Sequence, residues 1–273
     1  MYKRQIWWGS GWFGLHLYTE GGSLRGFEIR GNVGAGPNLI GGFAPLDDIL
    51  VEDNDFEHLQ VGYGADQNGT VTVRNNRLGW SPDGRALSLF RLYDQLTVTG
   101  NTLYGHTSDG VRFENSAGVA PSANATWNSN TYYRLGFAYP TSPGEWPCCG
   151  QSFGTWRNQH PGWDTSSTWS SGAPANSLTI NPNQYEAGRA TVVAHTYNGA
   201  TTVSVNPSSV LATGARYVVL NAFNPTAAPL ASGTYSGGSI SLPTSLSTAS
   251  PIGMNVDSNP TPITSIYIIR TVS

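Results

Sequence analysis

Charge is what this sequence lacks most. Only 11% of its 273 residues are Asp, Glu, Lys or Arg, and Lys3 is the one lysine; an average domain carries about a quarter. With a formal net charge of −3, nothing draws the chain to nucleic acid or to an anionic membrane surface. No apolar run approaches the ~20 residues of a membrane-spanning helix, so no membrane span is expected. Cysteine is nearly absent as well: Cys148 and Cys149 stand side by side in WPCCGQ. Neighbouring Cα atoms lie about 3.8 Å apart, below the usual disulfide range. A bond between them would close a strained ring, so bonded or not they cannot staple the fold. One CC pair without clustered His or Asp partners is no metal site. No metal and no cofactor are expected.

What the chain has is glycine (33), proline (17) and many Asn, Ser and Thr, the composition of short strands and frequent turns. It also has an echo. ILVEDNDFEH (Ile49–His58), VTVRNNRLGW (Val71–Trp80) and LTVTGNTLYG (Leu96–Gly105) share the pattern apolar–x–apolar–x–x–Asn–x–apolar. Aligned on its asparagine, the pattern gives Asn32, Asn54, Asn76, Asn101 and Asn130, at intervals of 22, 22, 25 and 29. Five residues earlier stand Phe27, Ile49, Val71, Leu96 and Ala125; three earlier, Ile29, Val51, Val73, Val98 and Trp127. Two later come Phe56, Leu78, Leu103 and Tyr132, with Gly34 the exception. The residues between are mostly polar, with Leu50 a misfit. This alternation has the period of strands.

A further short strand precedes several of these segments: GLHLY (Gly14–Tyr18), LQVGY (Leu59–Tyr63), ALSLF (Ala86–Phe90) and GVRFE (Gly110–Glu114). Each repeat thus holds about three strands. Twenty-two residues cannot close a globule of their own, but they can form one coil of a solenoid stacked on the next at about 4.8 Å. The pattern resembles the right-handed parallel β-helix of the pectate-lyase-like superfamily over about Ile6–Tyr133. The resemblance implies an all-β chain with about five coils. It also implies an asparagine stacked in the bend between second and third strands, where Asn tolerates left-handed backbone angles and can bond its copy one coil away.

Around this core the chain divides into residues 1–5, 6–140, 141–183 and 184–273. Met1–Gln5, MYKRQ, reads as the translation of a sequencing adapter, which would make the chain an N-terminally truncated metagenomic fragment. Residues 6–140 form the β-helix. Residues 141–183 form a cap and linker, because a solenoid end exposes a cross-section of core. Within it, SFGTWRNQHPGWDTSS resembles an element that follows the last coil in many secreted β-helix proteins. Phe153–Asn158 is expected as a short helical turn, with Trp156 and Trp163 covering the end. Residues 184–273 alternate as β segments split by Gly, Pro and Asn, the size of a small antiparallel sandwich. They resemble the β domain attached to many carbohydrate-active enzymes.

In enzymes of the resembled fold, the cleft lies over the first strand of each coil. The resemblance therefore implies an extracellular protein acting on polysaccharide, a hydrolase or a lyase, as a monomer. The non-catalytic alternative is a surface or carbohydrate-binding β-helix. The candidate catalytic residues are Arg112, Glu114, Asp109 and His106; His16, Tyr18, Gln60, Trp80 and Phe90 are candidates for substrate binding. Aromatic rings stack on sugars, and a hydrolase needs two carboxylic acids about 5–9.5 Å apart, which Glu114 with Asp109 or Asp94 can supply. Pectate lyases of the fold hold calcium with clustered Asp and use an Arg base. Here Asp66 and Asp94 fall on nearby coils but no dense Asp cluster appears, so calcium is left open with no motif to support it. Ice binding would need flat Thr rows, and the column Thr72, Thr97, Thr126 is flanked by Arg74.

Overall fold

The computed structural model describes residues 2–3, 5–7, 13–64, 67–79, 84–114, 124–140, 148–249 and 263–272, with the side chains of residues 2, 3, 114, 148 and 149 outside that description. The chain is nearly all-β and divides into two compact units, Met1–Ala173 and Pro174–Ser273.

The first unit is a β-solenoid of about five turns. Its clearest line of strands, the second in each coil, is a six-stranded parallel sheet. It comprises Tyr2–Lys3, Leu24–Arg30, Leu46–Glu52, Gln67–Arg74, Leu92–Thr99 and Ala125–Asn128. The register stacks Ile29, Val51, Val73, Val98 and Trp127 in one column and Phe27, Ile49, Val71, Leu96 and Ala125 in the next. The first column is buried throughout. Tyr2–Lys3, within the stretch expected to be adapter-derived, pairs with Ile29–Arg30 as the outermost strand of this sheet.

The other two lines belong to one larger sheet. First-line strands are His16–Thr19, residues 38–42 of Val33–Gly42, residues 59–64 of Asp55–Gly64, Leu87–Phe90, Val111–Glu114 and Phe137–Tyr139. The strand over residues 38–42 is a rung the periodicity missed. Its NLIGG lies in register with Leu17 on one side and Val61 on the other through Ile40. The third line stacks Gly34, Phe56, Leu78, Leu103, Tyr132 and finally Trp169. Gly34 breaks the apolar column because a Cβ there would collide with Asn38 Oδ1 and the Phe56 ring. The neighbouring coil's phenyl already fills that space.

The asparagine row is continuous. Nδ2 of Asn32, Asn54, Asn76 and Asn101 donates to Oδ1 of the next Asn at 2.9, 2.9, 3.0 and 3.1 Å. Each Oδ1 also accepts the backbone N–H one coil back, and Nδ2 of Asn54, Asn76, Asn101 and Asn130 reaches a second-line carbonyl. The expected left-handed asparagine is corrected, however. Positive φ falls on the residue before each ladder Asn: Gly31, Asp53, Asn75, Gly100 and Ser129. The bend is made by that residue, which leaves the Asn free to turn its amide along the stack.

The cap is an α-helix over Phe153–Gln159, N-capped by Ser152, whose Oγ accepts from Thr155 N. Trp156 is fully buried and stacks on Phe137 with centroids 4.9 Å apart, while Trp163 lies parallel to Trp127 at 5.6 Å. The ladder ends here: Asn130 Nδ2 donates to Asp164 Oδ1 at 3.4 Å, and Asn130 N to Ser167 Oγ.

The second unit holds a five-stranded antiparallel sheet in the order Ser177–Pro182, Arg189–His195, Thr264–Thr271, Arg216–Asn221, Ala231–Thr234. Thr202–Val205 pairs with Ile240–Pro243, and Val192, Val205, Val219, Leu242 and Ile269 share one core. No helix among the described residues is long and apolar enough to cross a membrane.

Candidate functional site

Side chains alternate along a strand, so the first line turns Leu17, Ile40, Val61, Leu89 and Phe113 inward and the residues between them outward. The outward column in register is His16, Leu39, Gln60, Ser88, Arg112 and Ala138. Much of it is closed to solvent. Leu39, Ser88 and Ala138 are buried, as is His58, whose Nε2 lies 2.9 Å from Ser88 Oγ. Gln60 is half-buried between Leu39 and Ser88.

Two features remain accessible. The first is aromatic. Tyr18 and Phe90 each follow the outward column by two residues. Tyr63 joins them through a bulge at Gly62, which shifts the register so that Tyr63 pairs with Gly41. Gly62 has φ +86°, and a Cβ there would strike the Tyr93 hydroxyl, so glycine is required. His16 stacks on Phe13 at 4.7 Å and lies 5.0 Å from Tyr18; Phe43 meets Tyr18 edge-on at 6.2 Å. Tyr63 and Phe90 meet edge-on at 5.4 Å. Phe43 is 64% exposed and Tyr63 48%. Burial, then Glu20 and Tyr63, raise the Tyr18 phenol pKa, and in register Tyr18 and Tyr63 flank Gly41.

The second feature is charged. Asp109 Oδ2 accepts from Arg85 Nε at 2.9 Å and Nη2 at 2.8 Å, and Arg112 Nη1 lies 3.5 Å away. Burial opposes ionisation of Asp109. The Arg85 hydrogen bonds and charge, the Thr107 hydroxyl and the Arg112 charge outweigh it and hold the carboxyl below its ordinary value. A carboxylate so clamped is a fixed anion and an acceptor, unsuited to donating a proton near neutrality.

The structure thus brings Asp109 and Arg112 together and adds Arg85. It groups His16 with Tyr18, and Phe90 with Tyr63. His106 is exposed on the loop against Gly84, beside Arg85. Glu114 pairs in register with Phe90, but its side chain, like Trp80 and Asp66, lies outside the described residues. Asp94 accepts from Gln67 Nε2 at 2.8 Å. Phe43 and Tyr63 were missed as site residues, although GLHLY, LQVGY and ALSLF each end in an aromatic. The inserted Gly62 hid the equivalence, and the unrecognised NLIGG strand hid Phe43 behind it.

Among the described residues, no three or more His, Cys, Asp or Glu side chains converge as a metal site. On the second line, Thr72, Thr97 and Thr126 do share a column. Beside it Glu52 bridges Arg30 at 2.8 Å and Arg74 at 2.5 Å, so ion pairs interrupt any flat threonine face. Compared with models of known families, with curated proteins and with solved structures, the chain matches none.

Proposed function

We propose that the protein is an extracellular carbohydrate-active protein that binds a polysaccharide along the outer face of the first line of strands. The observation that carries this reading is the aromatic row Tyr18, Phe43, Tyr63 and Phe90, with Phe43 and Tyr63 presenting much of their surface to solvent. Exposed aromatics side by side on a rigid sheet offer flat faces for sugar rings at low entropic cost. The Arg85–Asp109–Arg112 group further along the face supplies charged hydrogen-bonding partners for hydroxyls or carboxylates. Phe43→Ala and Tyr63→Ala together should weaken retention in affinity electrophoresis on the bound polysaccharide about tenfold or more, since each lost stacking contact is worth about 0.5–1.5 kcal/mol. Unchanged retention in the double variant would remove the row from the site.

Cleavage is a second reading, favoured by Arg112 standing in the outward column, 3.5 Å from an ionised carboxylate. Hydrolysis would need Glu114 as the proton donor opposite Asp109; a lyase would use Arg112 as the base. New reducing ends signal the first and an unsaturated, ultraviolet-absorbing product the second. Binding with neither product leaves the non-catalytic reading. Loss of turnover in both Glu114→Gln and Arg112→Ala is expected if the chain cleaves.

A further inference from the structure

The solenoid's C-terminal end is covered unevenly. Trp156 packs on Phe113 and Phe137 of the first line and on Trp127 of the second. The third line is treated differently. Its inward column of Phe56, Leu78, Leu103 and Tyr132 is fully buried, but its last member, Trp169, is 43% exposed. The Trp169 indole is nonetheless fixed in place, because Nε1 donates to Leu135 O at 2.9 Å. A concave site of about 730 Å³ opens here, bounded by Trp169, Leu135, Phe153, Gln151 and Thr168. That volume falls in the range of about 300–1,000 Å³ typical of small-molecule sites.

We propose that this end site binds a neutral saccharide. None of the residues lining it carries a charge, so an ionic ligand would lose water without gaining a counter-ion. Two nearby hydroxyls are already committed: Ser152 Oγ caps the helix, and Ser167 Oγ donates to Asp164. The Gln151 amide and Thr168 hydroxyl have no side-chain hydrogen bond among the described residues, so a purely apolar ligand would desolvate both without return. A pyranose satisfies both requirements. Its C–H face lies on the rigid indole, and its hydroxyls bond the amide and the threonine. None of the residues lining this site belongs to the aromatic row of the first line.

The test is saturation-transfer difference NMR on the full chain with methyl glycosides of glucose, galactose, mannose and N-acetylglucosamine, with glucuronate and indole as charged and apolar competitors. At least one neutral glycoside should show transfer to its ring protons. Trp169→Ala should abolish it, and Gln151→Ala, which leaves the indole in place, should weaken affinity about fivefold, the effect of one lost hydrogen bond. The Phe43→Ala, Tyr63→Ala double variant should leave it unchanged. The proposal is overturned if no neutral glycoside shows transfer, if transfer survives in Trp169→Ala, if Gln151→Ala leaves affinity unchanged, or if glucuronate or indole binds more tightly than every neutral glycoside. Transfer lost only in the Phe43, Tyr63 double variant would also overturn it, while supporting the first-line reading.

Discussion

Asn76 and Asp164 belong to one hydrogen-bonded chain and are held in opposite ways. Asn76 has a copy above and below: its Oδ1 accepts from Asn54, and its Nδ2 donates to Asn101. Asp164 has no copy. It takes the last donor of the row, Asn130 Nδ2, and gathers Trp156 Nε1 at 2.7 Å, Tyr132 Oη at 3.0 Å and Ser167 Oγ at 2.5 Å around a fully buried carboxylate. An amide is both donor and acceptor, so a row of amides can be extended by any number of coils. Each amide in the row donates to the next one toward the C-terminus, so its final member leaves a donor over. An acceptor-only group ends the row, and the end must then bring further donors to an anion taken out of water. The body of the solenoid is therefore modular, whereas its end is a single constellation in which Trp127, Tyr132, Trp156 and Asp164 depend on one another.

That contrast is tested most severely by Trp156→Ala. The substitution removes a fully buried indole from contact with Phe113, Trp127, Phe137 and Tyr139 and takes a donor from Asp164. A loss of about 3–5 kcal/mol is expected, read from urea denaturation. Hydrogen exchange should show where it falls: the amides of Ala125–Asn128 and Thr131–Tyr133 should lose protection before those of Leu46–Glu52. Uniform loss along the whole stack would mean that the end is not a separate device.

Asn76→Ala comes next in size. It strands the Asn54 N–H and the Val51 carbonyl inside the stack, at about 1–3 kcal/mol for a buried group left without its partner. Because neighbouring rungs keep their own amides, the damage should stay local, with exchange rising at Leu46–Glu52 and Gln67–Arg74 and leaving the cap unchanged. A loss larger than that of Trp156→Ala would reverse the comparison and make the row the weaker part.

The same division explains what could be read from the sequence. Val51, Val73 and Val98 stack as the repeat requires, because a residue that recurs in register must recur in sequence. Asn38–Gly42 escaped because its rung is built where the repeat deforms, with Gly34, Gly41 and Gly42 making room for Phe56, Tyr63 and Thr19. The left-handed position escaped for another reason. Gly31, Asp53, Asn75, Gly100 and Ser129 share a backbone angle but no side chain, so no residue-by-residue column can show it. At the candidate site, Arg112 and Asp109 lay close in sequence and were named together. Arg85 joined them only through the coil, and Phe43 only through a strand that had not been recognised. Trp156 was legible as a cover from its place after the last coil. Asp164 stood in the same element, but nothing in GWDTSS signals the four side chains that meet its carboxylate.

The smallest effect, and the one that isolates the carboxylate itself, is a change of slope with pH. Burial raises the Asp164 pKa, and the hydrogen bonds from Ser167, Trp156, Tyr132 and Asn130 bring it only partly back. The folded chain therefore holds this proton more tightly than the unfolded chain. Its contribution to stability is fully present below the ordinary carboxylate pKa and is lost as pH rises through the higher folded value. Asp109 runs the other way: its folded pKa is lowered, so its contribution is present above the ordinary value and is lost as pH falls through the lowered one. Asp164→Asn removes the first dependence and keeps the second. Melting temperatures of the two proteins, followed from neutrality down into the carboxylate range, should diverge as pH falls, with the wild type gaining on the variant. A gap that stays constant would show that Asp164 titrates alike in both states, and that the end of the row holds its charge as easily as water does.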